Sequence, residues 1–226
     1  MGIGSKAAAT AGGKAAPKVA SGFVRRLLDK AIDGVGPLPS AAESANRRRV
    51  DADGDVEAAI AASVRRHTGL AGTQGFVTNL GGIATAAAAI PANVVGVTLV
   101  QCHLVAGIAH LRGWDLQDPR VRNAILACML GEDAVKDLVK RGSLPSSPMA
   151  LATSPVHDPE LDRLIAREVT SELVARTAGK RAVTLVGRRV PVIGGVVGGG
   201  TDGWATWQIG QYAARELKDR NVPTTP

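Results

Sequence analysis

Two long stretches of the chain are nearly free of charged side chains. The first covers residues 67–111 and has no Lys, Arg, Asp or Glu, and the second covers residues 191–214 and has only Asp202. Both stretches are built from Gly, Ala, Val and Thr instead of Leu and Phe. Because small residues let helix backbones approach closely, the pattern predicts two Gly/Ala-rich helical segments that pack centrally or lie on a membrane.

The remaining segments carry the 3.6-residue hydrophobic period of amphipathic helices, and no useful stretch alternates with a period of two. Asp55 and Asp118 are predicted N-caps. The run 46–49 is interpreted as an exposed linker and 142–156 as a Pro/Ser-rich loop. The pattern predicts an all-α, multi-helix bundle of six to eight helices. The helices are expected near residues 23–35, 55–67, 74–89, 91–111, 119–130, 132–141, 158–177 and after 191.

The domain organisation follows from where this periodicity begins and ends. Residues 1–21 are a low-complexity Ala/Gly/Lys arm that we expect to be disordered, residues 22–220 form a single helical domain, and residues 221–226 form a flexible tail. Each uncharged helix approaches the length of about 20 residues that spans a bilayer. Ala and Gly contribute little to insertion, so we expect a re-entrant hairpin, a surface-lying pair or a buried core pair.

Charge and composition restrict the expected partners. The 27 basic and 20 acidic residues give a net charge of +7, spread thinly over the polar segments. Such a balance suits anionic lipid head groups and also plain solubility, whereas the 3% aromatic content argues against a nucleic-acid partner. The N-terminus has no apolar region typical of a secretory signal. We therefore expect a cytoplasmic protein, peripheral at the inner face of the cell membrane, with Cys102 and Cys128 as buried free thiols.

The predicted helix after Pro91 has a face of small and polar residues, and the second Gly-rich segment has a similar stripe. We expect the two faces to meet and to place Asp202 near His103 or His110, because a buried carboxylate needs a partner. Such a pair would be a structural contact, a proton-linked switch or a general acid/base pair. The first face comprises Asn93, Gly96, Val100, His103, Gly107 and His110. The second stripe comprises Gly194, Gly198, Asp202, Thr206 and Gly210.

Metal and cofactor chemistry have little support in the sequence. Cys102 is adjacent to His103, so on a helix its side chain points about 100° away, which weakens a shared metal site. The chain has no GxSxG, no HExxH and no phosphate-binding GxxxxGK[ST] motif. We therefore expect no metal and no cofactor.

Several short segments together resemble the EcsC family of bacterial proteins, over about residues 55–215. They are GFVTNLGG at 75–82, IPAN at 90–93, AHLRGWD at 109–115, DPRVR at 118–122 and PVIGGVVGGG at 191–200. The resemblance implies a helical protein, and it brings no catalytic residues to this chain.

The leading functional prediction is a non-enzymatic protein that associates with a membrane or binds lipid or another apolar ligand. Trp204, Trp207 and Tyr212 are candidates for the lipid interface or for core filling. The alternative is a soluble enzyme with the Asp–His site, and a protein partner could bind the Gly-rich helices. Expected ligand or lipid contacts are Asn93, Gly96, His103, Gly107, Gly198, Asp202, Trp204 and Trp207. Expected head-group contacts are Arg47, Arg48, Arg49, Arg65, Arg66, Lys180, Arg181, Arg188 and Arg189.

Overall fold

A computed structural model describes residues 22–72, 92–187 and 194–220 of the chain, and within these ranges it has nine α-helices and no β-strand. The all-α prediction is therefore confirmed. The helices are α1 (22–33), α2 (Ala41–Asp51), α3 (Val56–Gly72), α4 (Ala92–Leu111), α5 (Pro119–Leu130), α6 (Glu132–Lys140), α7 (Pro148–Ala152), α8 (Pro159–Gly187) and α9 (Gly194–Glu216).

Helix α4 is the centre of the bundle and contacts α2, α3, α5 and α9. In the described part of the chain it is the one helix long and apolar enough to cross a bilayer, with a mean hydropathy of 1.8 over Val94–Leu111. However, 89% of that window is buried inside the protein. Helix α4 is thus a core helix, and its apolar composition is explained by contact with the neighbouring helices.

Helix α9 lies beside both α3 and α4, and its contacts define the direction of each helix. Gly203 lies against Thr68 of α3, and Gly210 lies against Val64 further toward the start of α3, so α3 and α9 are antiparallel. Gln101 of α4 donates from Nε2 to Thr206 Oγ1 at 3.0 Å. Since Leu104 of α4 contacts Gly210, α4 and α9 are parallel.

Several helix ends lie where local chemistry predicts them. The Asp118 carboxylate accepts from the backbone N–H of Arg120 at 2.8 Å, and Pro119 occupies the first turn of α5. The Asp55 carboxylate accepts from Ala58 N at 3.0 Å and caps α3. A short polar side chain or a proline just before a run with helical hydrophobic spacing is enough to predict where such a helix begins. Cys102 and Cys128 are free and buried, as expected.

Four local interpretations are wrong. Residues 46–49 lie inside α2, which Ser40 caps by accepting from Glu43 N at 3.1 Å. The loop at 142–156 contains α7, which Ser147 and Pro148 begin. Helix α3 extends to Gly72 instead of ending near residue 67. Helix α8 extends to Gly187 instead of ending near residue 177. The predicted arm at 1–21, the helix at 74–89 and the tail at 221–226 lie outside the described residues.

Candidate functional site

Two buried histidines meet where α3, α4 and the linker between α1 and α2 come together. His67 is 6% exposed and His103 is 2% exposed. His67 Nε2 lies 2.9 Å from His103 Nδ1. The outer nitrogens face backbone carbonyls: His67 Nδ1 is 2.7 Å from Ser63 O, and His103 Nε2 is 3.1 Å from Pro39 O. We call these residues the histidine pair.

The surroundings of the histidine pair disfavour a positive charge on it. Burial, followed by the proximity of His103 and of the cations Arg66 and Arg48, lowers the pKa of His67 to about 3. Burial also lowers the pKa of His103, although hydrogen bonding to the backbone at Pro39 and Ser40 opposes that change. Both imidazoles are therefore neutral near pH 7.

A small cavity of about 60 Å³ adjoins the histidine pair. At this volume the cavity has room for a few water molecules or for one small polyatomic group. The charged side chains in its lining are both basic, Arg48 and Arg66. The rest of the lining comprises Pro37, Leu38, Pro39, Ala41, Ser44, Ala45, Ser63, His67, Leu70, His103, Leu104 and Gly107. We call it the histidine cavity.

The predicted Asp202–His103 pair is not formed, since both ring nitrogens of His103 face other groups. Register explains why. Thr206 of α9 contacts Gln101 of the parallel helix α4, so Asp202 lies level with about residue 97. That level is about six residues, or about 9 Å along the axis, from His103. His110 is further away still, and its Nε2 lies 3.0 Å from Asn46 Oδ1 of α2.

On the predicted small face of α4, His103, Gly107 and His110 pack against α2, α3 and the α1–α2 linker instead of α9. A side-chain carbon added to Gly107 would lie 3.8 Å from both Ala41 O and Ala45 Cβ. Gly96 is buried in the core. Asn93 lies in the first turn of α4 and Gly198 in the first turns of α9, and the surroundings of these two lie outside the described part of the structure.

A stacked pair of tryptophans lies on the outer face of α9. Trp204 is 58% exposed and Trp207 is 39% exposed. Their ring centroids are 4.9 Å apart and the planes differ by 18°. We call these residues the tryptophan pair. Tyr212, the third candidate for the lipid interface, is only 4% exposed and belongs to the core.

The predicted head-group residues occupy different positions. Arg47 pairs with Glu43 and Arg48 with Asp51, both within α2. Three others, Arg49, Arg65 and Arg66, are exposed and have no ion-pair partner among the described residues. Lys180 and Arg181 lie in α8, where only the backbone is described, and Arg188 and Arg189 lie outside the described ranges.

The position of Arg65 links the tryptophan pair to positive charge. Gly203 faces Thr68 and Gly210 faces Val64 along the antiparallel pair α3 and α9. Arg65 therefore lies level with the turn of α9 that carries Trp207. On a helix, residue 65 lies about 100° from residue 64 and about 60° from residue 68, so it flanks the side of α3 that contacts α9.

Sequence reasoning missed His67, which supplies half of the histidine pair. A signal was present, because His67 continues the helical spacing of Ile60, Val64 and Ala71, all of which are buried. A polar residue on an apolar stripe needs a buried partner. The partner lies 36 residues away on another helix, and spacing within α3 cannot indicate it. Among the described residues, no group of three or more His, Cys, Asp or Glu could hold a metal ion.

Comparison with known proteins relates most of the chain to a family. Residues 53–222 match the model of the EcsC protein family. No curated protein and no solved structure matches the chain. The match begins at the loop before α3 and therefore excludes α1 and α2, although α2 supplies Arg48 to the histidine cavity.

Proposed function

Because the chain belongs to the EcsC protein family, a membership that brings no reaction with it, we propose a function from the geometry of its surface. The protein is a non-enzymatic, peripheral lipid-binding protein of the cytoplasmic membrane face, and it docks through the tryptophan pair. The observation that carries the proposal is the exposure of two stacked indoles on the outer face of α9.

The energetics favour a lipid interface as the environment of this pair. Tryptophan is enriched at membrane–water interfaces because its ring is apolar and its N–H is polar. Removing a large apolar side chain from water contributes about 1.5–3 kcal/mol when burial is complete. Trp204 and Trp207 are already partly covered, so their combined contribution is about 2–3 kcal/mol. A nearby basic residue such as Arg65 adds about 1 kcal/mol on an anionic surface.

The contacts of helix α4 inside the bundle favour peripheral docking over an arrangement in which α4 spans the membrane. Two of its polar residues have partners inside the bundle: Gln101 donates to Thr206 of α9, and His103 meets His67 of α3. Moving α4 into lipid would break these contacts and expose the faces of α2, α3 and α9 that cover it. In addition, the faces of α9 at Gly203 and Gly210 are occupied by α3 and α4, so the outer face is the part of α9 that can meet a lipid surface.

Vesicle flotation of the full chain tests the proposal. The wild-type protein should float with vesicles of phosphatidylcholine and phosphatidylglycerol. The double variant W204A/W207A should bind at least about tenfold more weakly, since about 1.4 kcal/mol corresponds to a factor of ten. The matched control is V50A/V156A, which removes two large apolar side chains that are highly exposed elsewhere in the described part of the chain, at 76% and 72%.

Two results would overturn the proposal. One is wild-type protein that remains with the soluble fraction at all lipid compositions. The other is a W204A/W207A variant that floats as well as the wild type and the control do. Circular dichroism of each variant shows whether the fold is retained, which the exposure of both indoles leads us to expect.

A further inference from the structure

The histidine pair holds one proton fewer than its contacts require. Three short contacts run in a row, from Ser63 O to His67, from His67 to His103, and from His103 to Pro39 O. Both end groups are carbonyls, which only accept. Three hydrogen bonds therefore need three N–H protons, whereas two neutral imidazoles carry two.

The missing proton belongs at the end nearest the linker. The contact of His67 with Ser63 O is the shortest of the three at 2.7 Å, and that of His103 Nε2 with Pro39 O is the longest at 3.1 Å. In the neutral pair, His67 donates to Ser63 O and His103 donates from Nδ1 to His67. The lone pair of His103 Nε2 then faces the carbonyl oxygen of Pro39, and this repulsion ends when the pair takes up one proton.

Burial is the main reason why that proton is absent, and the cations around the pair add to its effect. Arg48 from α2 and Arg66 from α3 line the adjoining cavity. Asp51 binds Nη1 of Arg48 at 2.8 Å, whereas Arg66 has no ion-pair partner among the described residues. Neither the α1–α2 linker nor α4 adds a charged side chain to the lining, and α9 contributes none.

An anion in the cavity would change this balance. It would pair with Arg66 and with the nitrogens of Arg48 other than the Nη1 that Asp51 binds, and guanidinium groups present a planar fork that suits the oxygens of a tetrahedral oxyanion. Its negative charge would also offset the cations that lower the pKa of His67. The cavity of about 60 Å³ has room for one such group.

We propose that the histidine cavity binds one phosphate-type oxyanion through Arg66 and Arg48, and that the histidine pair takes up one proton from solvent as the anion binds. The pair passes from two N–H groups to three, and all three contacts become hydrogen bonds. The oxyanion is a free phosphate or the head group of a phosphomonoester lipid, since both present the same oxygens. This site is separate from the tryptophan pair, so either proposal can fail without the other.

Titration calorimetry with inorganic phosphate tests the proposal on the full chain carrying W204A/W207A, which removes lipid docking. Measurements at several pH values near and above pH 7, in two buffers of different ionisation enthalpy, give the net number of protons exchanged. Correcting for the monoanion–dianion equilibrium of free phosphate leaves the uptake by the histidine pair, for which we expect about one proton per anion. The variant R66Q should weaken binding by at least about tenfold, because it removes a charge-assisted hydrogen bond. The control R65Q makes the same charge change on the exposed neighbour outside the cavity lining and should change binding less than about twofold.

A second titration with dihexanoyl phosphatidic acid, kept below its micelle concentration, separates the two sources of the anion. Binding of both probes identifies the free oxyanion as sufficient, and binding of the lipid alone with the same R66Q effect identifies the head group. The proposal is overturned if neither probe binds, if R65Q and R66Q weaken binding equally, or if binding takes up no proton. ¹⁵N chemical shifts of the imidazoles in the same chain show directly whether the pair gains the third N–H.

Discussion

Replacing Gly210 by alanine tests whether α9 lies between α3 and α4. A side-chain carbon at this position would lie 2.9 Å from Val64 Cγ2 and 3.0 Å from Leu104 Cδ2, closer than side chains normally approach. Adding a methyl group to such a packed site costs about 1–3 kcal/mol. Alanine also favours the helix by about 1 kcal/mol over glycine. The net expectation is a loss of about 1 kcal/mol in the free energy of unfolding.

Gly200 is the matched control on the same helix. It is exposed, and nothing lies within 4 Å of the position that its side-chain carbon would take. Gly200→Ala should therefore show only the helix-propensity gain of up to about 1 kcal/mol. The two variants should differ by about 2 kcal/mol in urea unfolding followed by circular dichroism. Equal free energies for the two variants would refute the placement of α9 between α3 and α4.

Three further predictions follow from buried contacts. Asp118→Ala removes the N-cap of α5 and should cost about 1–2 kcal/mol in thermal unfolding. The pKa of about 3 for His67 in the folded chain lies below its ordinary value of 6.5, so the unfolded chain binds the extra proton. The contribution of neutral His67 to the free energy of unfolding should be fully present above about pH 6.5 and should fall by up to about 1.4 kcal/mol per pH unit toward pH 3. His67→Gln should flatten that slope in phosphate-free urea titrations. Trp114 Nε1 donates to Lys218 O at 2.9 Å, so Trp114→Phe should cost about 1 kcal/mol and speed hydrogen exchange at residues 217–220.

Helices that begin with a capping side chain or a proline could be predicted from neighbouring residues alone. Asp118 and Pro119 begin α5, and Asp55 begins α3, because a cap requires only a side chain within three residues. Helix α2 was missed for the opposite reason. Ala41 and Ala45 are its buried residues, so its apolar face is too slight to stand out beside Arg47–Arg49.

The candidate site depended on which helix covers which face, and periodicity does not contain that information. The sequence indicated that His103 lies on a small-residue face of α4, and the structure confirms that face. It did not indicate that α2 and α3 cover it, because Gly107 accepts an alanine-bearing helix as readily as a glycine-rich one. The pairing of His67 with His103 arises only when α3 packs antiparallel to α4.

The central claim is that the tryptophan pair meets lipid while α4 stays in the protein core. Quenching of tryptophan fluorescence by vesicles of brominated phosphatidylcholine and phosphatidylglycerol tests both parts. The chain has three tryptophans, and Trp114 is 8% exposed in the core, so W204F/W207F reports on the core alone. The account predicts strong quenching of the wild type and none of W204F/W207F. An unquenched wild type would contradict docking through Trp204 and Trp207, and a quenched W204F/W207F would show that lipid reaches the core.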